Sequence, residues 1–317
     1  MLEYTEKIQQ TAKKLLKDKA VDIFIGYRKG TVPMMNEPVL IRDPGKVDLL
    51  YWDSFCGLNL CNYLTKRGEG KIGIVATGCN SRNMVTHIVE NQIKREQLYI
   101  VGIPCTGMID HRAVQRAVDH KQIVGVTEEG DRFTVKGKDF EKTLEKKDYL
   151  QTNCAICRHR NPVITDEMVA EPVKEQAEVA AYKDVEKIEQ MASDQRHGFF
   201  TQLISRCIRC YACRNACPLC YCPTCFVDES RPQWVGKSID PVDTMTFHIL
   251  RAYHCAGRCT DCGACERACP VGIPVRQFTK KLNKDAEALF SWEAGLHLDQ
   301  RPPLDVYRPD DYDDFIR

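Results

Sequence analysis

Five short apolar runs, rich in β-branched residues and ended by turn residues, mark the first half of the chain. They are "VDIFIGY" (21–27), "VDLLYW" (47–52), "KIGIVATG" (71–78), "LYIVGIP" (98–104) and "QIVGVTE" (122–128). Runs of this length and composition predict strands. Between the third and fourth, "SRNMVTHIVENQIKREQ" places Val85, Ile88, Val89 and Ile93 at helical spacing. A strand, a helix and a strand in that order predict a crossover between parallel strands. Ahead of these runs, "MLEYTEKIQQTAKKLLKDKA" sets Tyr4, Ile8, Leu15 and Leu16 on one side of an amphipathic helix. Residues 158–171 read as irregular, 172–195 as a charged helix, "VRQFTKKLNKDAEALFSWEAG" as a further helix and "RPPLDVYRPDDYDDFIR" as an irregular acidic tail. The expected organisation is an α/β domain with a mostly parallel sheet at 1–160, a helical connector at 161–205, and a helical, loop-rich domain at 206–317.

The chain has 317 residues, enough for two domains, with 43% hydrophobic and 28% charged residues and a net charge of +1. That balance favours neither nucleic acid nor an anionic membrane surface as a partner, and no apolar run reaches the length of a membrane span. The N-terminus lacks the apolar core and cleavage site of a signal peptide, so the chain reads as cytoplasmic. This setting gives meaning to the 18 cysteines. A reducing compartment disfavours structural disulfides, so clustered thiols there point to metal. No Ser/His/Asp set or carboxylate pair points to hydrolysis, and no catalytic residue is assigned.

Cys207, Cys210, Cys213 and Cys217 have the spacing C-x2-C-x2-C-x3-C before Pro218, and Cys259, Cys262, Cys265 and Cys269 repeat it before Pro270. Three closely spaced thiolates wrap one face of a cubane cluster, and the fourth reaches across to its twin. The expected ligand sets are therefore Cys207, Cys210, Cys213 and Cys269 for one 4Fe–4S cluster, and Cys259, Cys262, Cys265 and Cys217 for the other. Structural zinc more often uses paired C-x2-C knuckles. Within the 41-residue gap between the motifs, Cys220, Cys222 and Cys225 ("LCYCPTC") and Cys255 make a third site, either a 4Fe–4S cluster or zinc.

Two predicted parallel strands end in cysteine, at Cys79 and Cys105. Open parallel sheets bind ligands beyond the carboxyl ends of their strands, so adjacent strands would put both thiols at one rim. With Cys154 and Cys157 in "NCAIC" they make four thiolates and a candidate fourth cluster, a relay toward 207–225. Against it stands the common burial of free cysteine.

The duplicated motif resembles the two-cluster ferredoxin module of bacterial electron-transfer subunits. The stretch that follows it looks like the tail of such modules in heterodisulfide-reductase-type complexes. The segments "SFCGLNLCNYL" (54–64), "VGIPCTG" and "CAICRHRNPVITDEM", covering roughly residues 20–170, resemble the β subunit family of coenzyme F-420 hydrogenase and dehydrogenase. That family binds flavin and iron–sulfur clusters. Its ferredoxin module lies N-terminal, whereas here it lies C-terminal. The resemblance implies FAD near Ser54, Gly57, Asn80, Ser81, Arg82 and Thr106. It also implies partner redox subunits of heterodisulfide-reductase-like, hydrogenase or formate dehydrogenase type. The expected function is a flavin and iron–sulfur electron-transfer subunit of a cytoplasmic oxidoreductase complex. The alternative is a flavin-free polyferredoxin adaptor that docks partner subunits.

Overall fold

The computed structural model describes residues 2–65, 70–306 and 309. The acidic tail beyond residue 306 lies outside the described residues, apart from Pro309. The chain divides into two compact units, Met1–Ser81 with Gln92–Val179, and Arg82–Asn91 with Ala180–Arg317.

The first unit opens with helix α1 (Leu2–Lys17), whose inner face buries Thr5, Ile8, Thr11, Ala12, Leu15 and Leu16. Strands β1 (Ile23–Arg28), β2 (Glu37–Ile41), β3 (Ile72–Ala76), β4 (Leu98–Gly102) and the two-residue β8 (Glu167–Met168) form one sheet in the order β2-β1-β3-β4-β8. All its pairings are parallel except that of the edge strand β2. β3 is buried along its whole length and the first three pairs β3 makes with β4 run Ile72–Leu98 to Ile74–Ile100. Continuous Val/Ile runs of this kind are what a parallel sheet covered on both faces requires. Helix α2 (Gly78–Val89) follows β3.

Two expectations for this unit are corrected. Residues 47–52 are not a strand. Asp43 accepts from the Gly45 N–H at 2.8 Å and Pro44 takes the first helical position, so a 3-10 turn over Pro44–Leu49 starts instead. The run at 122–128 is a strand, β5 (Ile123–Glu129), but it lies outside the main sheet. It pairs antiparallel with β6 (Arg132–Gly137), which pairs with β7 (Glu141–Glu145). Phe133, Val135 and Leu144 from this second sheet pack with Phe55, Ile109, Val114 and Val118, the last two from and just after helix α3 (His111–Ala117). Its polar outward residues mark a sheet with one wet face.

The charged helix expected over 172–195 does not form as one element. Asn161 brackets Val173, its amide donating to the Val173 carbonyl (2.7 Å) and its Oδ1 accepting the Val173 N–H (2.9 Å). The Glu175 carboxylate accepts from the Asn161 N–H (3.2 Å). Side-chain bonds of this kind compete with the helix for backbone groups. Helix begins only at α5 (Lys183–Glu189) and resumes at α6 (Ser193–Ile204). A short α4 (Thr152–Ala155) carries Cys154 in the first unit.

In the second unit, α6 leads into two cysteine loops with one-turn helices, α7 (Ala212–Asn215) and α9 (Ala264–Ala268), separated by α8 (Pro241–His254) and followed by α10 (Arg276–Phe290). Its core gathers Val227, Phe247, Ile273 and Val275 around Cys213 and Cys269. Lys280 and Lys284 of α10 pair with Asp184 and Glu189 of α5, and the Tyr182 hydroxyl donates to Glu287 at 2.8 Å. The later part of α2 belongs here. His87 Nε2 lies 2.8 Å from the Pro218 carbonyl, and Glu90 is held by Arg258 and Tyr221.

Candidate metal centres

The two cysteine loops repeat one backbone path. The second and fourth residues after the first cysteine are left-handed in both, Arg209 and Tyr211 (φ 50° and 60°) in one, Asp261 and Gly263 (57° and 70°) in the other. Each path then enters a one-turn helix whose second residue is the third cysteine, Cys213 or Cys265. The turn after it ends at Cys217 or Cys269, each followed by proline. Two left-handed residues so close together curl a loop inward, so that side chains and N–H groups converge on one centre. Arg209 N–H reaches Cys207 Sγ at 3.4 Å, and Ile273 N–H reaches Cys269 Sγ at 3.2 Å.

The first expected set comes together. Burial pushes the Cys207 thiol up, and among its neighbours Cys269 and Cys210 act in the same direction. Burial likewise pushes Cys213 up to about 11, opposed by the Arg251 guanidinium and reinforced by the thiols of Cys265, Cys207 and Cys269. The second set borders one cavity. Cys217, Cys259, Cys262 and Cys265 line it, and Cys255 and Arg251 also reach it. Burial pushes Cys259 up to about 12, with Asp261, Cys262 and Cys265 adding to the rise. Asp261 is clamped by Arg276, whose Nη1 donates to both carboxylate oxygens at 2.7 and 2.6 Å, while Nε reaches Glu266 at 3.1 Å.

The third expected set is arranged differently. Cys220 and Cys255 do meet, but with Cys217, the three Sγ atoms lying within 4.8 Å of one another. Cys222 is exposed, and Cys225 packs beside Phe226 at the edge of the core, with its thiol against Arg214.

In the first unit, Cys79 opens α2 at the carboxyl end of β3, and Cys105 follows the adjacent parallel strand β4. Burial pushes the Cys105 thiol well up, and the thiols of Cys154, Cys79 and Cys157 push it further. The thiols of Cys79, Cys154 and Cys157, all named from the sequence, therefore lie near that of Cys105. Gly78 makes the approach possible, since a Cβ there would sit 2.1 Å from the His159 carbonyl oxygen. The Cys105 N–H donates to the Arg160 carbonyl (3.0 Å), and the Cys157 thiol lies 3.2 Å from the His159 carbonyl. Cys56 lies apart from this group, buried against Asn36 and Asp53.

Gathered thiols resist ionising together, and bound metal reverses that resistance by supplying positive charge. All-thiolate donor sets behind C-x2-C-x2-C loops suit iron–sulfur clusters, so the residues fit the group.

The residues named for the flavin do not fit it in the same way. Ser54 is buried, its N–H and hydroxyl bound to Glu128 at 2.9 and 3.2 Å. Ser81 donates to the Gly78 carbonyl and accepts from Val163 N–H (2.9 and 3.0 Å). Arg82, named as a flavin contact, is buried, donates from Nε and Nη2 to the Ala294 carbonyl (2.9 and 2.6 Å) and pairs with Glu293 at 3.0 Å. The Asn80 carbonyl accepts from the Cys61 thiol. Gly57 is half-buried and Thr106 exposed.

Sequence reasoning missed two buried basic residues on α8, His248 and Arg251. Their signal was present, since both fall at helical spacing on the buried stripe of Thr244, Phe247 and Ala252.

Residues 203–273 match the 4Fe-4S dicluster domain family. The C-terminal module is a 4Fe–4S dicluster domain. Ahead of and around this module, the chain is similar to the F420-dependent formate dehydrogenase subunit beta of Methanocaldococcus jannaschii, at 24% identity over 353 aligned positions and 92% of each chain. It is also similar to the F420-dependent formate dehydrogenase 1 subunit beta of Methanococcus maripaludis, at 24% identity over 295 positions, 74% of this chain and 75% of the relative. A chain of the F420-reducing NiFe hydrogenase complex from Methanosarcina barkeri matches 50% of this chain and 62% of its own, at 16% identity and a TM-score of 0.37. The likeness to the F-420 β subunit family read from the sequence thus extends over nearly the whole chain. No helix among the described residues is long and apolar enough to cross a membrane.

Proposed function

We propose that this chain relays electrons through 4Fe–4S clusters as a subunit of an F420-dependent dehydrogenase or hydrogenase complex. It is an oxidoreductase subunit, as the dicluster domain at 203–273 and the two formate dehydrogenase β subunits indicate. One observation carries the reading: two loops in one chain follow the same left-handed path around their cysteines. A bound 4Fe–4S cluster takes up and releases single electrons. The protein's own part is to present thiolates, exclude water from them and fix the charge around them. Cys207, Cys210, Cys213 and Cys269 would hold one cluster, and Cys217, Cys259, Cys262 and Cys265 a second. Cys79, Cys105, Cys154 and Cys157 would hold another, feeding electrons to these two from a soluble hydride carrier.

Splitting hydride chemistry into single electrons calls for a two-electron cofactor, and the family resemblance implies FAD. A second reading, the flavin-free adaptor, draws support from Ser54, Ser81 and Arg82, whose polar groups are already engaged within the protein. Iron, sulfide, zinc and flavin assays on the anaerobically purified full chain decide between them. The iron–sulfur reading expects at least about eight irons per chain, two clusters of four, with reduced-cluster EPR signals. Zinc, or iron for one cluster only, would overturn it. Acid extraction that releases no flavin from fully metallated complex would select the adaptor.

A further inference from the structure

Between the two cysteine motifs runs helix α8, capped by Asp240, whose carboxylate accepts from Val242 N–H at 2.8 Å. A compact ferredoxin would need only a short link across this gap. The helix buries Thr244, Phe247, His248, Arg251 and Ala252 and leaves Val242, Ile249, Leu250 and Tyr253 outside. Two of the buried side chains, His248 and Arg251, point at the cysteine groups.

We propose that His248 and Arg251 are positioning residues that raise the reduction potentials of the dicluster module, His248 for the cluster at Cys207 and Arg251 for both. The proposal rests on the iron–sulfur reading of these cysteines. His248 Nε2 lies 3.3 Å from Cys207 Sγ. A metal-bound thiolate carries no hydrogen, so this bond requires the proton on Nε2, with the imidazole as donor. The ring has little freedom to turn away. It stacks on Phe278 (5.8 Å between centroids, 14° between planes) and lies 4.9 Å from the Phe247 ring. Hydrogen bonds to cluster sulfurs are among the terms that set iron–sulfur potentials.

Arg251 is 4% exposed. Its Nη2 donates to the Cys213 carbonyl at 3.1 Å, and its Nε has no partner. Among the described residues no carboxylate lies within 4.0 Å of its guanidinium. What surrounds it electrostatically is a set of thiols, Cys265, Cys217, Cys255 and Cys213, drawn from both cysteine loops and the end of α8 itself. An isolated buried cation is costly, and that cost falls when anions face it. An all-thiolate cluster is anionic and gains one further negative charge on reduction. A fixed positive charge therefore favours the reduced state more than the oxidised one. The pair on α8 makes a potential-setting device built into the segment between the motifs.

The test uses the full chain, purified anaerobically, with iron per chain and the midpoint potential of each cluster read by EPR at poised potentials. Arg251→Gln should keep its iron and shift the reduction equilibrium of both clusters at least about tenfold toward the oxidised form, about 59 mV for one electron. Arg251→Lys, which retains the charge, should stay within that margin of the parent. His248→Phe should lower only the cluster bound at Cys207, and His248→Gln, which keeps an N–H donor, should recover part of the shift. Parental potentials in Arg251→Gln and in His248→Phe, with iron retained, overturn the proposal. If Arg251→Gln does not take up iron, the two His248 variants decide, and no difference between them and the parent overturns it. A parent chain with no clusters at all would instead remove the iron–sulfur reading itself.

Discussion

Replacing Asp53 with asparagine should stabilise the first unit at neutral pH, by an amount that depends on pH. Asp53 is buried beside Ser54, with Asn36 Nδ2 donating to its Oδ1 at 2.6 Å and the Phe55 N–H at 2.8 Å. Burial is the largest influence and pushes its carboxyl up to about 6 from 3.8. The Phe55 N–H opposes the rise, and the Glu128 carboxylate adds to it. A shift of about two pK units corresponds to roughly 3 kcal/mol. Between pH 3.8 and about 6 the folded protein holds more protons than the unfolded chain. Stability from this group is therefore complete below the lower value and is lost as pH rises through the upper one. An asparagine side chain at this position would keep the acceptor for both N–H groups and shed the charge. Hydrogen exchange by mass spectrometry on peptides covering β1 and β3, parent and variant together at each pH, cancels the intrinsic exchange rate. Protection in Asp53→Asn should match the parent near pH 4 and exceed it by up to about a hundredfold at pH 7 and above, following the shift of about two units. A difference that stays constant with pH would show that Asp53 is not a charge forced into the fold.

Cys105→Ala should lose about four irons per chain while the dicluster EPR signals persist, because its thiol faces those of Cys154, Cys79 and Cys157. Unchanged iron would rule Cys105 out as a ligand. Gly78→Ala should weaken the same group, as its Cβ would meet the His159 carbonyl at 2.1 Å. Iron content and thermal stability equal to the parent would refute that packing argument. Arg276→Met removes a buried guanidinium shared by Asp261 and Glu266 and should cost about 3 kcal/mol. It should also speed iron release to a chelator from the loop at 259–265, and a parental release rate would refute the clamp.

The parallel strands were legible because β1, β3 and β4 are mostly buried runs built on Ile with other apolar residues, which leave little choice of structure. The strand-end rule then located Cys79 and Cys105 on neighbouring strands without any sheet in view. β2 escaped notice because its "EPVLI" carries a proline, tolerated here only because the strand forms the sheet edge. β8 escaped because two residues carry no periodicity. What holds it is tertiary, the Asp166 carboxylate accepting from Ile100 N–H at 2.7 Å and from Arg95 at 2.7 Å. Spacing also picked out the eight motif cysteines as two matching loops, since each loop's path is local. It could not see that Cys217 would lie with Cys220 and Cys255, a meeting between a loop and the end of α8 more than thirty residues on. Arg82, named as a flavin contact, has partners that no local pattern could show. Its donors meet the Ala294 carbonyl and Glu293, far along the chain.

The two cysteine loops reach one shape by different means, and the difference bears on what keeps them ready for metal. A non-glycine residue in the left-handed region costs about 1–2 kcal/mol. Gly263 avoids that cost, whereas Tyr211 at the equivalent place does not. Arg209 and Asp261 occupy the other pair of positions, and neither is a residue free to relax. Arg209 is buried, donates to the Gly236 and Ser238 carbonyls at 2.7 and 3.0 Å, and reaches the Tyr211 hydroxyl at 2.9 Å. Asp261 is held by Arg276. Each loop thus offsets its backbone strain with an arginine-centred set of charge-assisted bonds, one reaching into the segment ahead of α8 and the other into α10. Those bonds do not involve the thiols, so the loop path can exist before iron arrives. A preformed path lowers the ordering cost of binding. The first loop, with two strained non-glycine residues against one in the second, depends more heavily on its anchor.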